Sequence, residues 1–264
     1  MPTPPLSSRE RDILDLVAAQ GFLGIDELAR RFDVTPQTIR RGVNQLCDRG
    51  LLRRRHGGVG LPAATDNLPY QRRQVQQLEG KRRIAQAVAA FIPNGSTMSI
   101  GIGTTPQQVA MALRTHAHLR VVTNSLNAAN VLVGCPGIEI TLAGGTLRPD
   151  ELDVVGLPAA QCFSSFKTDF AVFGVAGIDD DGTLLDFDAD EVMARQAMLA
   201  HCRSSLLVAD VTKFGRSALA RGGQLGDVAH LFLDAAPPTA FAPVLAAAGN
   251  TLHVAAPTDE AALA

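Results

Sequence analysis

The sequence predicts two folded parts, a small head of three helices and a β-hairpin and a larger α/β domain with an open, mostly parallel sheet. Helix-capping residues and apolar residues at helical spacing recur through the head. Short apolar strands then alternate with helices from residue 80 onward. The charge also changes sign, because residues 1–83 contain 15 Lys+Arg and 9 Asp+Glu, whereas residues 84–264 contain 9 and 17. A basic head suits a polyanionic partner that the acidic remainder would repel.

The first two helices of the head are short and amphipathic. Ser7 and Glu10 form a capping-box pattern, after which apolar residues at helical spacing continue until Gly21 ends the helix. A second helix is expected over 26–32, where the apolar side chains share one face. A turn at 33–35 then leads into a third helix. The order of elements is therefore helix, helix, turn, helix.

The third helix has the clearest start signal. Thr35 is a good N-cap and Pro36 is well placed at the first helical position, so the helix is expected to run to about Asp48. A basic hairpin is expected over 51–59. Three helices, a short turn before the third and a hairpin after it make a winged helix-turn-helix over 1–60, a fold that binds duplex DNA.

The third helix is predicted to bury one face and to contact DNA with the other. About 100° per residue places Ile39, Val43 and Leu46 on the buried side. Amide, hydroxyl and guanidinium groups on the opposite side can pair with base edges, and arginines of the hairpin suit phosphates. A bundle that uses this surface for protein contacts is the alternative. The predicted DNA-binding residues are Thr35, Gln37, Thr38, Arg40, Arg41, Asn44, Arg53, Arg54, Arg55 and His56.

The α/β domain is expected over 80–264, after a linker at 61–79 that contains two prolines and a polar run. Short strands that alternate with helices imply a mostly parallel sheet covered on both faces. The strand candidates are 97–100, 119–122, 138–142, 170–175, 205–209, 231–233 and 251–254. The helix candidates are 81–91, 106–113, 126–133 and 190–201.

Polar loops follow three consecutive strands of this domain, at 103–105, 123–125 and 144–145. Threonine hydroxyls and backbone N–H groups at a helix N-terminus bind anions, and glycines allow a ligand to approach the backbone. Because the carboxyl ends of parallel strands meet at one edge, these loops predict a crevice for a small phosphorylated metabolite. Lys213 is the expected counter-charge for a phosphate, and Glu191 is the expected ligand-facing acid.

Composition excludes several other classes of protein. With 46% hydrophobic residues in 264, the chain is expected to be globular throughout. No apolar run has the length of a signal peptide or a membrane span, so a cytoplasmic protein is expected. The four cysteines lie far apart, which predicts neither a zinc site nor a disulfide framework. The acidic run 177–191 lacks the ligand spacing of a calcium loop, so neither a metal nor a cofactor is expected.

The sequence resembles the DeoR family of bacterial transcriptional repressors over nearly its full length. The matching stretches are VTPQTIRR and RRHGGV in the head, and IPNGST, GIGTTP, LRVVTNSLNAANVL, LAGGTLR, GIDDDGTLLDFDADEV and TKFGR in the second domain. The resemblance implies an α/β domain similar to sugar-phosphate isomerases and a repressor that leaves its operator when a sugar or polyol phosphate binds. The implied effector-binding residues are Gly103, Thr104, Thr105, Thr123, Asn124, Ser125, Gly144, Gly145, Glu191 and Lys213.

Three runs of the sequence indicate which phosphorylated compound is the effector. IPNGST, GIDDDGTLLDFD and the later DAAPP are typical of one member of the family, and they imply sn-glycerol 3-phosphate as the effector. Because one winged head covers only a short half-site, a homodimer or homotetramer on a repeated operator is expected. The pocket chemistry alone also fits an isomerase or deaminase that acts on a sugar phosphate, although a recognition helix would serve no purpose there.

Two glycines depart from the family pattern, in which an aspartate is common at each position. Gly101 lacks a carboxylate that would contact a ligand hydroxyl, so a different affinity or sugar preference is expected. Gly42 lies beside the buried side of the third helix and off its DNA face. It is expected to cost the helix roughly 1 kcal/mol relative to alanine without removing a base contact.

Overall fold

The computed structural model of the chain describes residues 7–20, 22–48, 51–55, 58–60 and 68–255. The chain divides into two compact units, Met1–Leu68 and Pro69–Ala264. In the described part, every helix is too short or too polar to cross a membrane. The elements of the first unit are α1 (Ser8–Gln20), β1 (Phe22–Gly24), α2 (Ile25–Arg31), α3 (Pro36–Asp48), β2 (Arg53–Arg55) and β3 (Gly58–Gly60).

The first unit confirms the predicted helices and hairpin. Strand β3 is central in a small antiparallel sheet, with β1 on one side and β2 on the other. Strand β1 was not predicted, because its three residues follow a helix directly and are too few to show a period. The predicted capping box is present, since the Glu10 backbone N–H donates to Ser7 Oγ at 3.3 Å and Ser7 N–H donates to Glu10 Oε2 at 2.7 Å.

One apolar cluster forms the core of the first unit. Ile39, Val43 and Leu46 are each at most 2% exposed, which confirms the predicted buried side of α3. They share this cluster with Leu28 of α2 and Val59 of β3. At the start of α3 the Thr38 N–H donates to Thr35 Oγ1 at 3.3 Å, as an N-cap requires. The core thus holds α3 by one side and leaves the other side to solvent.

The second unit is a sheet with helices on both faces. Its helices are α4 (Tyr70–Val75), α5 (Leu78–Phe91), α6 (Thr104–Ala112), α7 (Leu126–Leu132), α8 (Leu157–Ser164), α9 (Ala189–Ala200) and α10 (Ala242–Ala248). Its strands are β4 (Thr97–Ile100), β5 (Leu119–Thr123), β6 (Ile138–Leu142), β7 (Leu147–Arg148), β8 (Asp153–Val154), β9 (Thr168–Phe173), β10 (Gly177–Ile178), β11 (Thr183–Asp186), β12 (Cys202–Ala209), β13 (Ala220–Gln224), β14 (His230–Leu233) and β15 (Thr251–Val254).

The main sheet has seven strands in the order β15-β14-β12-β9-β4-β5-β6, and every neighbouring pair is parallel. This confirms the predicted mostly parallel sheet. From β4 the chain adds β5 and β6 on one side, and it later adds β9, β12, β14 and β15 on the other. The strand order therefore reverses between β4 and β9. In open α/β sheets the crevice outside the carboxyl ends of the strands at such a point binds ligands.

Two apolar clusters cover the two faces of this sheet. Ile84 of α5 and Val109 of α6 lie in the cluster on one face. Phe163 of α8 and Met198 of α9 lie in the cluster on the other face. Two small additions were not predicted, a three-stranded antiparallel sheet in the order β10-β11-β13 and the β7-β8 pair. Each contains a strand of only two residues, which is too short to show an apolar period in the sequence.

The second compact unit begins at Pro69, so the last part of the expected linker 61–79 belongs to it. Helix α4 lies in this stretch, and α5 begins at Leu78, two residues before the expected domain start. Tyr70 of α4 is 5% exposed, and its hydroxyl donates to Gln107 Oε1 of α6 at 3.0 Å. The polar sequence of α4 hides this anchoring, because a single buried side chain produces no apolar period. Residues 61–67 lie outside the described part of the chain.

Candidate functional sites

In the first unit, a groove of about 400 Å³ is lined by α2, α3 and the hairpin. Arg40 and Asn44 line it from α3, and Arg54 lines it from β2. Asp26 of α2 also lies along the groove. Two guanidinium groups and an amide therefore face a common space, and these are groups that bind phosphates and base edges. The predicted helix and hairpin residues meet here, as the DNA-binding prediction requires.

The remaining predicted DNA-binding residues lie along the same helix and strand. Gln37, Thr38 and Arg41 are exposed on α3. The Thr35 hydroxyl lies 3.0 Å from the Thr38 hydroxyl and also caps the helix, so Thr35 positions α3. Arg53 and Arg55 lie in β2, where their backbones pair with Gly60 and Gly58, and His56 lies outside the described residues. DNA contact by these side chains stays a prediction.

In the second unit, a cavity of about 300 Å³ lies where the α4–α5 connection, the start of α6 and the loop after β12 come together. We call it the cation cavity, because its described lining contains four cationic side chains and one carboxylate. The hydroxyls of two threonines and the amides of two glutamines complete that lining. Its residues are Arg73, Gln76, Gln77, Lys81, Thr104, Asp210, Thr212, Lys213 and Arg216.

The loop after β12 places Lys213 in this cavity. Asp210 is buried at the end of β12, and its Oδ1 accepts the Thr212 N–H at 3.1 Å. Asp234, which follows β14 and is also buried, accepts the Val211 N–H at 2.9 Å. Two carboxylates from neighbouring strands thus fix a short turn at Val211–Lys213. Opposite this turn, Thr104 begins α6 and is 7% exposed.

The cationic groups of this cavity are short of counter-charge. Burial lowers the pKa of Lys213 to about 8, and the nearby charges of Arg216 and Lys81 add to this effect against the attraction of Asp210. Burial also lowers the pKa of Lys81 to about 8, and the charge of Arg73 contributes to that shift. A buried ammonium group is unfavourable unless an anion is close. An anion that entered the cavity would therefore stabilise the charged form of both lysines.

A second cavity, of about 30 Å³, lies at the point where the strand order reverses. It has room for about one water molecule or hydroxyl group. Its described lining includes Gly101 after β4, Asn124 after β5, and Glu191 and Arg195 of α9. Asn124 is 2% exposed and donates from Nδ2 to the Val154 carbonyl at 2.7 Å. Its Oδ1 is buried and has no hydrogen-bond partner within the described residues, so an acceptor is available here.

Glu191 lines this small cavity, but it already has a partner. Its Oε1 accepts from Arg148 at 2.7 Å, and the same guanidinium also donates to Asp153 Oδ1 at 2.7 Å. Burial raises the pKa of Glu191 to about 7, the charge of Asp186 adds to the rise, and Arg148 opposes it. The carboxyl group is therefore in part protonated near neutral pH and can donate as well as accept a hydrogen bond.

Several of the predicted effector-binding residues hold the loops instead of lining a described cavity. The Thr123 hydroxyl donates to the Ile100 carbonyl at 2.7 Å, and Ser125 Oγ accepts the Ala128 N–H at 3.2 Å as the cap of α7. Thr105 is 5% exposed within the first turn of α6. A sequence does not distinguish a hydroxyl that caps a helix from one that faces a ligand. For this reason Thr105, Thr123 and Ser125 were predicted as effector-binding residues together with Thr104 and Asn124.

The three predicted glycines have different surroundings. Gly103 precedes α6 with a φ of 120°, a backbone conformation that favours glycine. A β-carbon on Gly145 would lie 2.7 Å from Val154 Cγ1, so that position needs glycine for packing. Gly144 and Gly145 are exposed, and they belong to the described lining of neither the cation cavity nor the small cavity. Their predicted contact with an effector has no support from this arrangement.

The cation cavity also contains residues that the sequence did not reveal. Arg73 lies in the expected linker 61–79, and Lys81 begins the expected helix 81–91, for which no binding role was predicted. Arg216 belongs to the TKFGR stretch, but only Lys213 of that stretch was selected. Each is close to the cavity through tertiary packing, and Lys81 is 3% exposed. The weak signal that was available is the rarity of lysine, which occurs only at positions 81, 167 and 213.

The fold agrees with comparisons against known families. Residues 9–65 match the DeoR-like helix-turn-helix domain, and residues 76–235 match the DeoR C terminal sensor domain. The chain therefore belongs to the DeoR family and is a regulator of transcription. This confirms the resemblance seen in the sequence, and the alternative of a sugar-phosphate enzyme is set aside.

The chain is also similar to individual repressors and to solved structures. The chain is 44% identical to the glycerol-3-phosphate regulon repressor of Escherichia coli (strain K12), over 90% of this chain and 95% of that protein. It is 43% identical to the HTH-type transcriptional repressor CsqR of the same organism, over 88% of this chain and 89% of that protein. Among solved structures, a D-ribose-5-phosphate isomerase in complex with phospho-erythronic acid is 17% identical over 52% of this chain and 54% of that chain, with a TM-score of 0.38.

Proposed function

We propose that this protein is a DNA-binding transcriptional repressor that leaves its operator when sn-glycerol 3-phosphate binds in the cation cavity. The observation that carries the proposal is the set of four cationic side chains around Thr104 at the start of α6. A phosphate dianion supplies the counter-charge that Lys81 and Lys213 lack. The first turn of α6 also offers backbone N–H groups to an anion.

The size and polarity of the site favour a small ligand with hydroxyl groups. A cavity of about 300 Å³ is at the lower end of the range for small-molecule sites. The unpaired Asn124 Oδ1 and the Glu191 carboxyl group line the smaller cavity, where they suit a hydroxyl group. Gly101 stands at the wall of the same cavity, so the loss of a carboxylate there leaves four polar side chains in the described lining, those of Asn124, Asp186, Glu191 and Arg195.

The identity of the effector does not follow from overall similarity alone, because the two named repressors are 44% and 43% identical to this chain. The runs 92–97 and 177–188, which are typical of the family member that responds to glycerol 3-phosphate, support the choice of effector. Control of glycerol catabolism is the corresponding physiological role. The protein would perform it in the cytoplasm.

The proposed DNA binding requires two heads, one from each of two subunits. One recognition helix contacts only a short half-site, so specific binding needs at least a dimer on a repeated or palindromic operator. The head at 1–60 would bind DNA, and the α/β domain from about residue 80 would bind the effector and hold the oligomer together. Gln37, Arg41 and Asn44 of α3 would contact bases, and Arg54 of the hairpin would contact phosphate.

The test is a titration of a preformed operator complex. An operator is first selected from random duplex DNA with the full-length protein, and binding is followed by fluorescence anisotropy. We expect sn-glycerol 3-phosphate at millimolar concentration to weaken operator binding, while glycerol and inorganic phosphate, used alone, act far less. An operator complex that is equally stable with and without glycerol 3-phosphate would refute the effector and leave the DNA-binding assignment intact.

A further inference from the structure

Arg73 connects the cation cavity to a helix that has no assigned role. It lies on α4 and lines the cavity. Its guanidinium group forms a short ion pair with Glu151 and lies 5.4 Å from the centre of the Tyr70 ring. Arg73 Nε is buried and has no hydrogen-bond partner within the described residues. The group is therefore incompletely satisfied, and an anion in the cavity would compete with Glu151 for it.

Helix α4 is fastened to the elements that surround the cavity. The Lys81 ammonium group donates to the Arg73 carbonyl oxygen. On the other side, Gln107 Oε1 of α6 accepts from the Tyr70 hydroxyl and from Gln74 Nε2, each at 3.0 Å. Lys81 lines the cavity itself, and Gln107 lies one turn after Thr104 of the cavity wall. Any rearrangement of the cavity therefore acts directly on the contacts that hold α4.

The connection between α4 and α5 is strained. Gln77 has a φ of 50° and a ψ of 33°, which is the left-handed helical region. This conformation is unfavourable for a residue other than glycine, because the β-carbon lies close to the following carbonyl oxygen. Gln76 and Gln77 both line the cation cavity. A ligand that changes their hydrogen bonds can change this conformation, and a changed connection would reorient α4.

Helix α4 also has a particular place in the chain. It begins at Tyr70, immediately after the boundary between Met1–Leu68 and Pro69–Ala264. It is therefore the first element that the polypeptide enters on leaving the DNA-binding unit. A change in the position of α4 would therefore act at the point where the chain leaves that unit.

We propose that Arg73 is a further effector ligand and that it couples the cation cavity to the DNA-binding unit by exchanging Glu151 for the phosphate of the effector. In the effector-free state the pair between Arg73 and Glu151 holds α4 in the position that allows operator binding. In the bound state the phosphate of the effector pairs with the Arg73 guanidinium group, and α4 moves together with Arg73. This inference rests on the proposed function, because a ligand shifts an equilibrium only when its affinity differs between the two states.

Glu151→Gln tests the exchange, because it keeps the shape of the side chain and removes its charge. The effector-free state then loses its ion pair, while the residues that line the cavity are unchanged. We expect operator binding without effector to weaken about five- to tenfold, and the affinity for glycerol 3-phosphate to rise by a similar factor, since coupling is reciprocal. Glu79→Gln is the matched control, because it removes an exposed ion pair to Arg82 on α5 and should change neither affinity.

Arg73→Gln provides the second measurement on the full-length protein. We expect it to bind operator about five- to tenfold more weakly without effector, because it removes the same ion pair as Glu151→Gln. Unlike Glu151→Gln, it should bind glycerol 3-phosphate about tenfold more weakly and lose most of the ratio between operator affinities without and with saturating effector. A variant that keeps the full ratio, or a Glu151→Gln protein with both affinities unchanged, would overturn the role of Arg73 alone. Wild-type protein that ignores glycerol 3-phosphate would overturn both this inference and the proposed function.

Discussion

The two units of this protein both present cationic side chains, but they do so in opposite settings. In the head, Arg40, Arg41 and Arg54 are exposed on α3 and the hairpin. In the second unit, Lys81 is buried and Lys213 is half-buried, and the pKa of each is lowered to about 8. Exposed cations suit a long polyanion, where many weak contacts add up and salt screens them. Enclosed cations suit one small dianion, because a dry site strengthens each contact.

The two settings predict different responses to substitution, in DNA binding for the head and in effector binding for the cation cavity. The head should lose affinity gradually as contacts are removed, and its binding should depend strongly on salt. The cation cavity should respond sharply to the loss of one lysine, because burial disfavours the charged form of Lys81 and Lys213 and Asp210 is the one carboxylate in the described lining. Variants of the two units should therefore differ in the size of the effect and in which partner is affected.

The largest effect is expected for Lys213→Ala. We expect the affinity for glycerol 3-phosphate, measured by calorimetry, to fall by about 100-fold, since charge-assisted hydrogen bonds are worth up to about 3 kcal/mol. Operator binding without effector should stay within about twofold of wild type. Lys167→Ala is the control, because Lys167 is exposed and lies outside the lining of the cation cavity. An equal loss of effector affinity in the two variants would contradict the assignment of the cavity.

In the head, Arg41→Ala is expected to reduce the preference for operator over random DNA by about tenfold, because a base contact is worth roughly 1 to 3 kcal/mol. Arg54→Ala should weaken both complexes about equally and reduce the slope of log affinity against log salt by about 1. Anisotropy at several salt concentrations measures both quantities. If Arg41→Ala weakens the two complexes to the same extent, Arg41 contacts phosphate and not a base.

The pH dependence of effector binding should follow the protonation of the lysines in the cation cavity. The pKa of Lys213 is about 8 in the empty cavity, so above pH 8 a phosphate dianion must recruit a proton in order to bind the charged form. We expect affinity to fall about tenfold per pH unit above pH 8 for each lysine that must be protonated. Calorimetry in two buffers of different ionisation heat measures this proton uptake. Lys213→Arg should weaken the dependence, because arginine keeps its charge.

The same pKa values also predict how stability depends on pH, and this dependence is opposite to that of effector affinity. Lys81 and Lys213 titrate near 8 in the folded protein and at the ordinary value of 10.5 when unfolded. The unfolded chain therefore binds more protons between these values, and the stability of the effector-free protein should rise as pH increases through this window. Denaturation in urea at pH 7.5 and pH 9.5 checks this. A saturating effector should abolish the trend, because it holds the lysines in the charged form that they also have in the unfolded chain.

The smallest effects concern one helical glycine in each unit. A β-carbon added at Gly42 meets no atom of the described residues within 4 Å, apart from its chain neighbours and its own helix backbone. Gly42→Ala should therefore stabilise the head by roughly 1 kcal/mol. At Gly80 the added carbon would lie 2.5 Å from Asp234 Oδ2, so Gly80→Ala should destabilise the second unit by about 1 to 3 kcal/mol. Chemical denaturation measures both, and a Gly42→Ala midpoint that does not rise would contradict the account of α3.

Local signals in the sequence were sufficient for much of the fold. The bounds of α3 were predicted as Pro36–Asp48, because Thr35 and Pro36 mark its start and the buried side chains follow one period. The strands Thr97–Ile100, Ile138–Leu142 and Thr251–Val254 were also predicted residue for residue. Helix α8 and the β10-β11-β13 sheet were not predicted, since their formation depends on distant partners and not on local spacing.

The sites show the same division between local and long-range information. Thr104 and Lys213 were predicted, because each follows a strand end that carries a recognisable loop. Arg73 and Lys81 were missed, because only the folding of α4 and α5 against α6 places them in the same cavity. Thr123 and Ser125 were predicted to bind the effector, and their hydroxyl groups hold the loop and the start of α7 in the structure, so their contact with an effector stays a prediction. Long-range packing thus decides which polar residues face the cavity.

The central claim is that a phosphate in the cation cavity releases the head from DNA. The most direct measurement is the concentration of sn-glycerol 3-phosphate that releases half of a bound operator, determined side by side for wild type and Lys213→Ala. The account predicts release of wild type at millimolar concentration or below, and a Lys213→Ala complex that persists at concentrations about 100-fold higher. Release of both proteins at the same concentration would contradict it.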